Sequence, residues 1–531
     1  MLETILLVAG LGLIAYSLLK LGTINYGYFQ EKGVKFLKPL PFIGNNRWMF
    51  LRQAVTDMLR DAYYTFPKEK IIGMFDFQTP IFFVRDPQLV KQITVKDFDH
   101  FVDRRAFINP DDDEVFGHVL LVMKGQRWRD MRSSLSPAFT GSKMRLMFDL
   151  VAACCKQIVE NFKEDYKKAG SEKSYDAKDI LSRYTNDVIA SCAFGLKVDS
   201  IKDPENDFYK TGQSFLSLGD PSILFKFLLM RFVPKIAKMF DINFVDIKRV
   251  RIFKKIIKDQ MEIRQKNNIV RPDIINLLVQ LRKGSVDAPT EEEPETEEIA
   301  AVENKQVENS KPKTSWTDEE LIAQCFLFFL AGFETSSTFM QFLFYELTLN
   351  SDIQKKLIDE IDEFKEYLGD KPMNYENIQK MKYLDMVVSE GLRKWTPGFL
   401  ADRVCVRDYK LTDSEGLEVI IEKGQIVQIP IYCFHYDPEY FPNPERFDPE
   451  RFSDENKGTV DFNTYLPFGI GPRNCIGSRF ALMEAKAILF YILSDFTLEV
   501  CEETPIPLEL RRGVLAMIPT KKIRIAFKPR H

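Results

Sequence analysis

The chain has 531 residues, of which 45% are hydrophobic and 28% charged, and this composition excludes a disordered or collagen-like protein. Its 73 basic and 77 acidic residues give a formal net charge of -4, so no strong overall attraction to nucleic acid is expected. The eight cysteines form no CxxC pair or regular framework, and only four histidines are present. These counts disfavour a disulfide scaffold and a histidine-based zinc site, and most cysteines are expected to be small buried residues.

The N-terminal end is predicted to be a membrane anchor. Residues 4–19 carry no charge and, extended at both ends, approach the thickness of a bilayer core as a helix. A cleaved signal peptide is the alternative, but Glu3 precedes the apolar run and no A-x-A site follows it. Lysines 20, 32, 35 and 38 follow the run, which by the positive-inside rule places the rest of the chain in the cytosol. We therefore expect a retained anchor over residues 1–21.

A basic linker with a proline hinge is predicted over residues 22–45. Pro39 and Pro41 restrict the backbone to an extended segment, although a plain loop is the alternative. No long linker divides the chain beyond it, so residues 46–531 are predicted to form one large domain. Within that domain, residues 285–313 contain nine acidic residues and no aromatic one, which is typical of a flexible acidic loop.

The body is predicted to be mostly α with small β-sheets. The clearest helix spans residues 316–350, where Thr317 and Glu320 fit a capping box and the following residues are apolar on nearly every face. Polar residues at its centre favour a buried core helix over a second membrane span. Strand patterns occur near residues 71–83 and 403–431, and a closing strand pair is predicted near residues 508–517 and 522–527.

The cysteine loop, residues 468–477, has the sequence FGIGPRNCIG. A helical pattern follows it at once, so Cys475 is predicted at a helix N-terminus, where unpaired N–H groups and the helix dipole lower the pKa of a thiol. A thiolate without a second cysteine or histidine nearby is unsuited to zinc. It suits a haem iron to which the porphyrin supplies the other four ligands.

This loop resembles the haem-binding signature F-x-x-G-x-R-x-C-x-G of the cytochrome P-450 family. Other segments resemble further motifs of that family in the expected order: W-x-x-x-R at 128–132, A-G-x-D/E-T at 331–335, E-x-x-R at 390–393 and P-E-R-F at 449–452. The resemblance covers essentially the whole chain and is nearest to insect microsomal enzymes related to the main drug-oxidising liver forms. It implies the cytochrome P-450 fold, a haem b cofactor and a haem-thiolate monooxygenase.

The resemblance also assigns the cofactor-binding residues. Cys475 corresponds to the axial thiolate ligand of the haem iron, Phe468 belongs to the same loop, and Gly332 lets a helix approach the haem closely. Haem propionates need cationic partners and hydrogen-bond donors. The side chains assigned to them are Arg104, Trp128, Arg132, Arg403 and Arg473. Surface charge is the alternative reading for Arg104 and Arg403.

Two catalytic residues follow from the same comparison. Thr335 corresponds to the residue that hydrogen-bonds dioxygen, and Glu334 to the residue that relays protons from solvent. The alternative for Thr335 is a bond to the carbonyl four residues earlier, which bends a helix.

Glu390 and Arg393 lie on one helix face and, taken alone, resemble a surface ion pair. The family resemblance instead places them in a buried network that supports the cysteine loop, with Arg451 as third member. Residues 444–447 repeat the letters PERF, so Arg446 is a rival for that place. Arg451 is preferred because it is closer to Cys475.

The predicted function is insertion of one oxygen atom of O2 into lipophilic small molecules such as plant toxins or insecticides. The chain has no G-x-G-x-x-G motif, so NADPH is expected to act through a reductase of the endoplasmic reticulum membrane, with a cytochrome b-type donor as a further partner. Candidate docking residues for the reductase are Lys124, Arg127, Arg129 and Lys143, or these form a solvated helix face. The alternative functions are a peroxide isomerase or dehydratase, a hormone or lipid hydroxylase, a haem sensor and a haem-free scaffold.

The expected pocket walls are apolar segments, namely residues 101–122, 214–232, 326–333 and 513–517. Residues 397–402 should also line the pocket by resemblance. Their local shape departs from the family pattern, because Pro397 follows Arg393 later than in many relatives.

Overall fold

The computed structural model describes residues 1–51, 53–106, 115–170, 173–215, 221–240, 242–243, 247–271, 273–282 and 316–530. The predicted acidic loop, residues 285–313, lies outside the described residues, as do parts of the predicted pocket walls over residues 101–122 and 214–232.

Helices make up most of the described chain. They are α1 Leu2–Gly22, α2 Tyr28–Glu31, α3 Arg47–Leu51, α4 Val55–Thr65, α5 Pro87–Lys91, α6 Gly125–Leu135, α7 Gly141–Ala169, α8 Ala177–Phe194, α9 Asp207–Phe215, α10 Pro221–Phe232, α11 Pro234–Met239, α12 Ile247–Asn267, α13 Ile274–Arg282, α14 Asp318–Leu349, α15 Ser351–Leu368, α16 Tyr375–Gln379, α17 Lys382–Lys394, α18 Ile431–His435 and α19 Ser478–Asp495.

The strands form three small sheets. They are β1 Ile71–Asp76, β2 Thr79–Val84, β3 Lys173–Asp176, β4 Ala401–Val404, β5 Tyr409–Thr412, β6 Glu418–Ile421, β7 Ile426–Ile429, β8 Phe496–Glu499 and β9 Arg524–Pro529. The largest sheet has the order β1-β2-β7-β4, the second has the order β3-β9-β8, and β5 pairs with β6. These elements confirm the predicted class, which is mostly α with small β-sheets.

The long core helix α14 begins as predicted. The Thr317 hydroxyl accepts a hydrogen bond from the Glu320 backbone N–H, and the Glu320 carboxylate accepts one from the Thr317 N–H. The helix then packs against α8, α17 and α19 within the largest hydrophobic cluster. Because it is surrounded by other elements, the apolar surface on nearly all its faces is satisfied by protein contacts.

Two helices of the described chain are long and apolar enough to cross a membrane. In α14, 67% of the tested window is buried within the protein, as expected for a core helix. In the N-terminal helix only 6% of residues 4–22 are buried, so most of its apolar side chains are exposed. The exposed N-terminal helix suggests a membrane anchor.

The predicted strand pair at the C-terminal end is wrong in part. β9 forms, but it pairs with β8 and β3, which the sequence patterns did not indicate. Within residues 508–517 the structure has only an isolated bridge between Leu510 and Pro519. Prolines 505, 507 and 519 flank this stretch, and a proline cannot donate a hydrogen bond to a neighbouring strand.

Candidate active site

An apolar cavity of about 420 Å³ lies between α14 and the cysteine loop. Its lining comes from the middle of α14, the α6 and α8 helices, the cysteine loop and the start of α19. Two predicted walls contribute, through Leu120 and Leu121 and through Leu327 and Phe328, and residues of the 397–402 segment also line it. The lining includes no described residue of the 214–232 or 513–517 segments.

The cysteine loop presents one thiol to this cavity. Gly471 has a φ of 75°, and an added Cβ would lie 2.1 Å from the Thr94 carbonyl oxygen, so only glycine permits this close packing. The Cys475 N–H donates to the Phe468 carbonyl at 2.9 Å, which closes the loop just before α19. Cys475 is the one exposed cysteine in the described chain, whereas five others are buried and two are half-buried.

The predicted lowering of the Cys475 pKa by the helix N-terminus is wrong for the protein alone. Burial raises the pKa of this thiol, and the Gly477 backbone with the charges of Arg132 and Arg104 opposes that rise only in part. The thiol faces an apolar cavity, and desolvation of the thiolate outweighs the hydrogen bond and the arginine charges that favour it. A bound metal cation would reverse this balance, because a coordinating thiol is deprotonated outright.

Two of the predicted arginines hold the cysteine loop in place. Arg473 donates from Nε to the Val102 carbonyl at 2.8 Å and from Nη2 to the Met123 carbonyl at 2.7 Å. Its guanidinium also lies 3.9 Å from the ring centre of Trp128, which is a close cation–π contact. Arg132 donates to the Asn474 carbonyl at 3.0 Å and to its side-chain oxygen at 2.6 Å.

The other two arginines approach the same region from outside the loop. Arg104 donates from Nη2 to the Arg473 carbonyl at 2.8 Å, and Arg403 donates to the Asp402 and Ile470 carbonyls. Arg403 is 2% exposed, and among the described residues the Nε atoms of Arg104 and Arg403 are buried without a hydrogen-bond partner. Arg104, Arg132, Arg473 and Trp128 line the cavity, whereas Arg403 lies behind its wall.

This four-arginine cluster (Arg104, Arg132, Arg403 and Arg473) has an excess of buried positive charge. Burial and mutual repulsion lower the pKa of Arg132 to about 10, of Arg403 to about 9 and of Arg473 to about 8. Asp103 and Asp402 offset only part of this charge. An anionic group with two carboxylates would compensate such a cluster, and the haem propionates have that chemistry. The residues present therefore fit a haem with its propionates at the arginines and its iron facing Cys475.

The opposite wall is formed by the centre of α14, which continues as a helix through Glu334 and Thr335. The Thr335 hydroxyl faces the cavity and donates to the Ala331 carbonyl at 2.5 Å, the local bond that the sequence left open as an alternative. Glu334 is not part of the cavity lining. Its carboxylate lies 3.1 Å from the ammonium group of Lys178 on α8.

Gly332 also has a second role. It lines the cavity, but an added Cβ would lie 2.4 Å from the Ile189 side chain of α8. The missing side chain therefore permits close packing of α8 on α14.

Comparison with known proteins agrees with this geometry. The sequence model of the cytochrome P450 family matches residues 34–527. The chain belongs to the cytochrome P450 family. It is 43% identical to cytochrome P450 9e2 of Blattella germanica over 94% of this chain and 93% of that relative. It is 43% identical to the probable cytochrome P450 9f2 of Drosophila melanogaster over 92% of each, and 36% identical to cytochrome P450 6k1 of Blattella germanica over 95% and 93%.

Membership identifies the reaction class. The chain is a cytochrome P450 monooxygenase of the insect type, an oxidoreductase with haem b as cofactor. Its electrons come from a redox-partner reductase, and O2 and a small molecule are its substrates.

The P450 network around Glu390 and Arg393 is fully buried. Both side chains are 0% exposed, and Arg393 donates to the two carboxylate oxygens at 2.7 and 2.8 Å. The structure places Arg451 against Glu390, at 3.5 Å, whereas Arg446 has 74% of its side chain exposed. Arg446 contributes only its carbonyl, which accepts from Arg393 at 3.3 Å.

A histidine that sequence reasoning passed over connects this network to the cysteine loop. His435 is 0% exposed, and burial lowers its pKa to about 3, so the ring is neutral. Its Nε2 accepts from the Leu466 N–H at 2.9 Å, so Nδ1 carries the proton and donates to the Arg393 carbonyl at 3.0 Å. Arg393 in turn donates to the His435 carbonyl at 2.8 Å.

The candidate reductase-docking side chains are only partly available. Arg127 pairs with Glu320 and Arg129 pairs with Asp99, so half of the predicted positive charge is locally neutralised. Lys124 is exposed and Lys143 is half-buried.

Proposed function

We propose that this P450 oxidises lipophilic foreign compounds such as plant toxins or insecticides. The observation that carries the proposal is the exposed Cys475 thiol, which faces an apolar cavity beside the four-arginine cluster. Haem, when bound, supplies the oxygen-activating chemistry. The protein's part is to hold the cofactor, orient the substrate, exclude water and deliver protons.

Each side chain has a distinct role in this proposal. Cys475 would bind the haem iron through its sulfur, and its backbone N–H donates to the Phe468 carbonyl. The four-arginine cluster and Trp128 would hold the propionates. Glu390, Arg393 and Arg451 keep the cysteine loop in position, since Arg393 also binds the carbonyl of His435, whose ring binds Leu466 just before that loop.

Proton delivery is assigned to Thr335 and Glu334. The Thr335 hydroxyl faces the cavity from α14, where it can donate to dioxygen. Glu334 lies one residue away, bound to Lys178, with 18% of its side chain exposed. That partial exposure lets it exchange protons with water while Lys178 fixes its position.

The substrate class follows from the cavity lining. Most of the lining residues are apolar, including Leu120, Ile189 and Phe328. Such a surface binds apolar ligands most favourably, because binding removes the apolar area of both the ligand and the cavity from water. A hormone or lipid hydroxylase has the same requirement and remains the second candidate. Retention of Glu334 and Thr335 favours oxygen activation over the peroxide isomerase or dehydratase.

We also propose the domain arrangement and location. Residues 1–21 anchor the protein in the endoplasmic reticulum membrane, residues 22–45 form the linker, and residues 46–531 form the cytosolic catalytic domain. The exposed apolar surface of α1 supports the anchor. An NADPH-dependent reductase of that membrane supplies electrons, and a cytochrome b-type protein is a further donor.

The ligand assignment is tested by absorption spectroscopy of the reduced, carbon-monoxide-bound protein. Wild type should show the red-shifted Soret band of thiolate ligation, and Cys475→Ala should lose it. Cys501→Ala, at a half-buried cysteine away from the cavity lining, is the matched control and should keep the band. Persistence of the band in Cys475→Ala would refute the assignment.

The substrate class is tested by spin-shift titration against plant toxins, insecticides, steroids and fatty acids. Foreign compounds should bind and be hydroxylated with NADPH and reductase. Turnover of a lipid hydroperoxide without NADPH would instead support the isomerase, and selective steroid or fatty-acid hydroxylation would support the second candidate.

A further inference from the structure

One wall of the cavity is held in place by side chains that are distant in the chain. Leu120 lines the cavity and follows a single short 3-10 turn, Phe116–His118. Its backbone N–H donates to Oε1 of Gln324 at 2.8 Å, and its carbonyl accepts from Nη1 of Arg473 at 3.3 Å. Both polar groups of this peptide unit are therefore bound from outside the segment, which sets the position of the Leu120 side chain.

Gln324 provides the bonds on the α14 side. It is 0% exposed, and its Nε2 donates to the His118 carbonyl at 2.6 Å and to the Glu320 carbonyl of its own helix at 2.9 Å. The amide thus binds the peptide groups on both sides of Val119, whose backbone is extended with φ −74° and ψ 145°. Because a backbone N–H only donates and a carbonyl only accepts, these partners fix which amide atom is oxygen and which is nitrogen.

The part of α14 that carries Gln324 is itself fixed. The Glu320 carboxylate accepts from the Thr317 N–H and pairs with Arg127 of α6. Leu327 and Phe328 lie one turn after Gln324 and line the cavity. Gln324 therefore connects two walls of the cavity, the one on α14 and the one at Leu120. It is not among the described residues of the lining, so it acts on a ligand through these walls.

An apolar contact beside Gln324 does not fix the wall in the same way. Phe116 lies edge-on against Phe326 of α14, with ring centres 5.5 Å apart. Apolar burial is not directional, whereas a hydrogen bond weakens steeply when its geometry is lost. A buried peptide group that loses its partner also carries a desolvation cost. The two bonds from Gln324 to the wall therefore define how far Leu120 projects into the cavity.

We propose that Gln324 is a positioning residue that sets the size of ligand the cavity accepts. This inference deepens the proposed function and rests on it only for the class of compound that is selected. A lipophilic ligand that fits beside Leu120 leaves both bonds to the wall intact. A bulkier ligand must displace Leu120 and separate the wall from Gln324, so it binds more weakly. The factor is about fivefold for one net hydrogen bond and about thirtyfold for two.

Gln324→Met tests this role, because methionine has a similar length and volume but cannot donate and accepts only weakly. Gln354→Met is the matched control. Gln354 is 4% exposed and makes an equivalent set of bonds, accepting from the Leu498 N–H at 2.8 Å and donating to the Leu347 and Leu498 carbonyls at 2.9 Å. It is not among the described residues of the cavity lining. Loss of stability is common to both variants, and only a change in ligand selection separates them.

The first measurement is hydrogen exchange of peptides that cover residues 115–123 in the purified holoenzyme. Exchange should be faster in Gln324→Met than in wild type, because the Leu120 N–H loses its acceptor. Gln354→Met should exchange like wild type over these residues. An unchanged rate in Gln324→Met overturns the proposal.

The second measurement compares the binding of two probes, 4-phenylimidazole and the bulkier 4-biphenylimidazole, by spectral titration. Imidazole nitrogen suits iron, so both probes report on the cavity whatever the natural substrate is. The ratio of the biphenyl to the phenyl dissociation constant should fall by about fivefold to about thirtyfold in Gln324→Met and stay at the wild-type value in Gln354→Met. If exchange is faster but the ratio is unchanged, Gln324 is only structural and the proposal fails.

A double variant tests whether Leu120 carries the effect. In a Leu120→Ala background the side chain that limits the cavity is already shortened, so adding Gln324→Met should not change the ratio further. A full additional effect in that background overturns the proposal. If Gln324→Met does not fold, Gln324→Asn replaces it, since its amide is one methylene too short to reach both His118 and Leu120 and should shift the ratio in the same direction. If the ratio shifts as expected but no foreign compound is oxidised, the proposed function fails while the role of Gln324 stands.

Discussion

The buried ion pair between Glu390 and Arg393 allows a quantitative prediction. Glu390→Gln keeps the shape of the side chain but removes its charge, leaving Arg393 at 0% exposure and Arg451 beside it without a carboxylate. Breaking a buried pair by removing one partner costs about 3–5 kcal/mol. For a chain of this length the entropy of unfolding is roughly 1 kcal/mol per degree, so the unfolding temperature should fall by about 3–5 °C.

The measurement is thermal unfolding of both proteins at one fixed scan rate, because many large proteins unfold irreversibly and the midpoint then depends on the scan rate. Carbon-monoxide spectra before and after heating should show the thiolate band lost earlier in the variant, because His435 couples the network to the cysteine loop. Asp359→Asn is the matched control. It removes an ion pair between Lys355 and Asp359 on one helix, where the two side chains are 76% and 56% exposed. Such an exposed pair stabilises a protein by about 0.3–0.5 kcal/mol. Equal effects of the two substitutions would refute the argument from burial.

Three further predictions concern the acids and the hydroxyl near the cavity. Glu484 of α19 is buried, and burial raises its folded-state pKa to about 8. This value lies above the roughly 4.3 of an unfolded glutamate, so the free energy of unfolding of the wild type falls as pH rises towards 8. The difference in unfolding temperature between Glu484→Gln and wild type should therefore increase by about 2 °C in favour of the variant from pH 6 to pH 8. A difference that stays constant with pH would contradict this prediction. Lys178→Met should slow product formation without changing spin-shift binding, because Glu334 loses its ion pair, and Lys178→Arg should restore the rate. Thr335→Ala should raise peroxide release relative to product, whereas Thr335→Ser should not.

The parts of the site that sequence could predict are those whose information is local. The cysteine loop has five fixed identities in ten residues, and the capping box of α14 needs only Thr317 and Glu320. In both cases the interacting groups are neighbours in the chain, so the pattern and the structure coincide.

The parts that sequence could not predict depend on distant contacts. Lys178 meets Glu334 across 156 positions of the chain, and His435 meets Leu466 across 31. The pairing of β9 with β3 and β8 also joins segments that are distant in the chain. Glu484 is a charged residue within the apolar run of α19, and this contrast is visible in the sequence. Only the structure shows that the residue is buried.

The four-arginine cluster implies that folding and cofactor binding are coupled. In the haem-free chain, burial and repulsion from Arg104 destabilise the charge on Arg403, whereas bound propionates would stabilise it. Arg403→Met should therefore raise the unfolding temperature of the haem-free protein and lower that of the holoenzyme. Arg446→Met, at a side chain that is 74% exposed, is the control and should change neither form by more than about 0.5 kcal/mol. This reasoning requires opposite signs in the two forms. In the haem-free state the Arg403 charge is buried beside Arg104 and offset only in part by Asp402, whereas in the holoenzyme it would gain anionic partners. A change of the same sign in both forms would mean that Arg403 acts through packing alone.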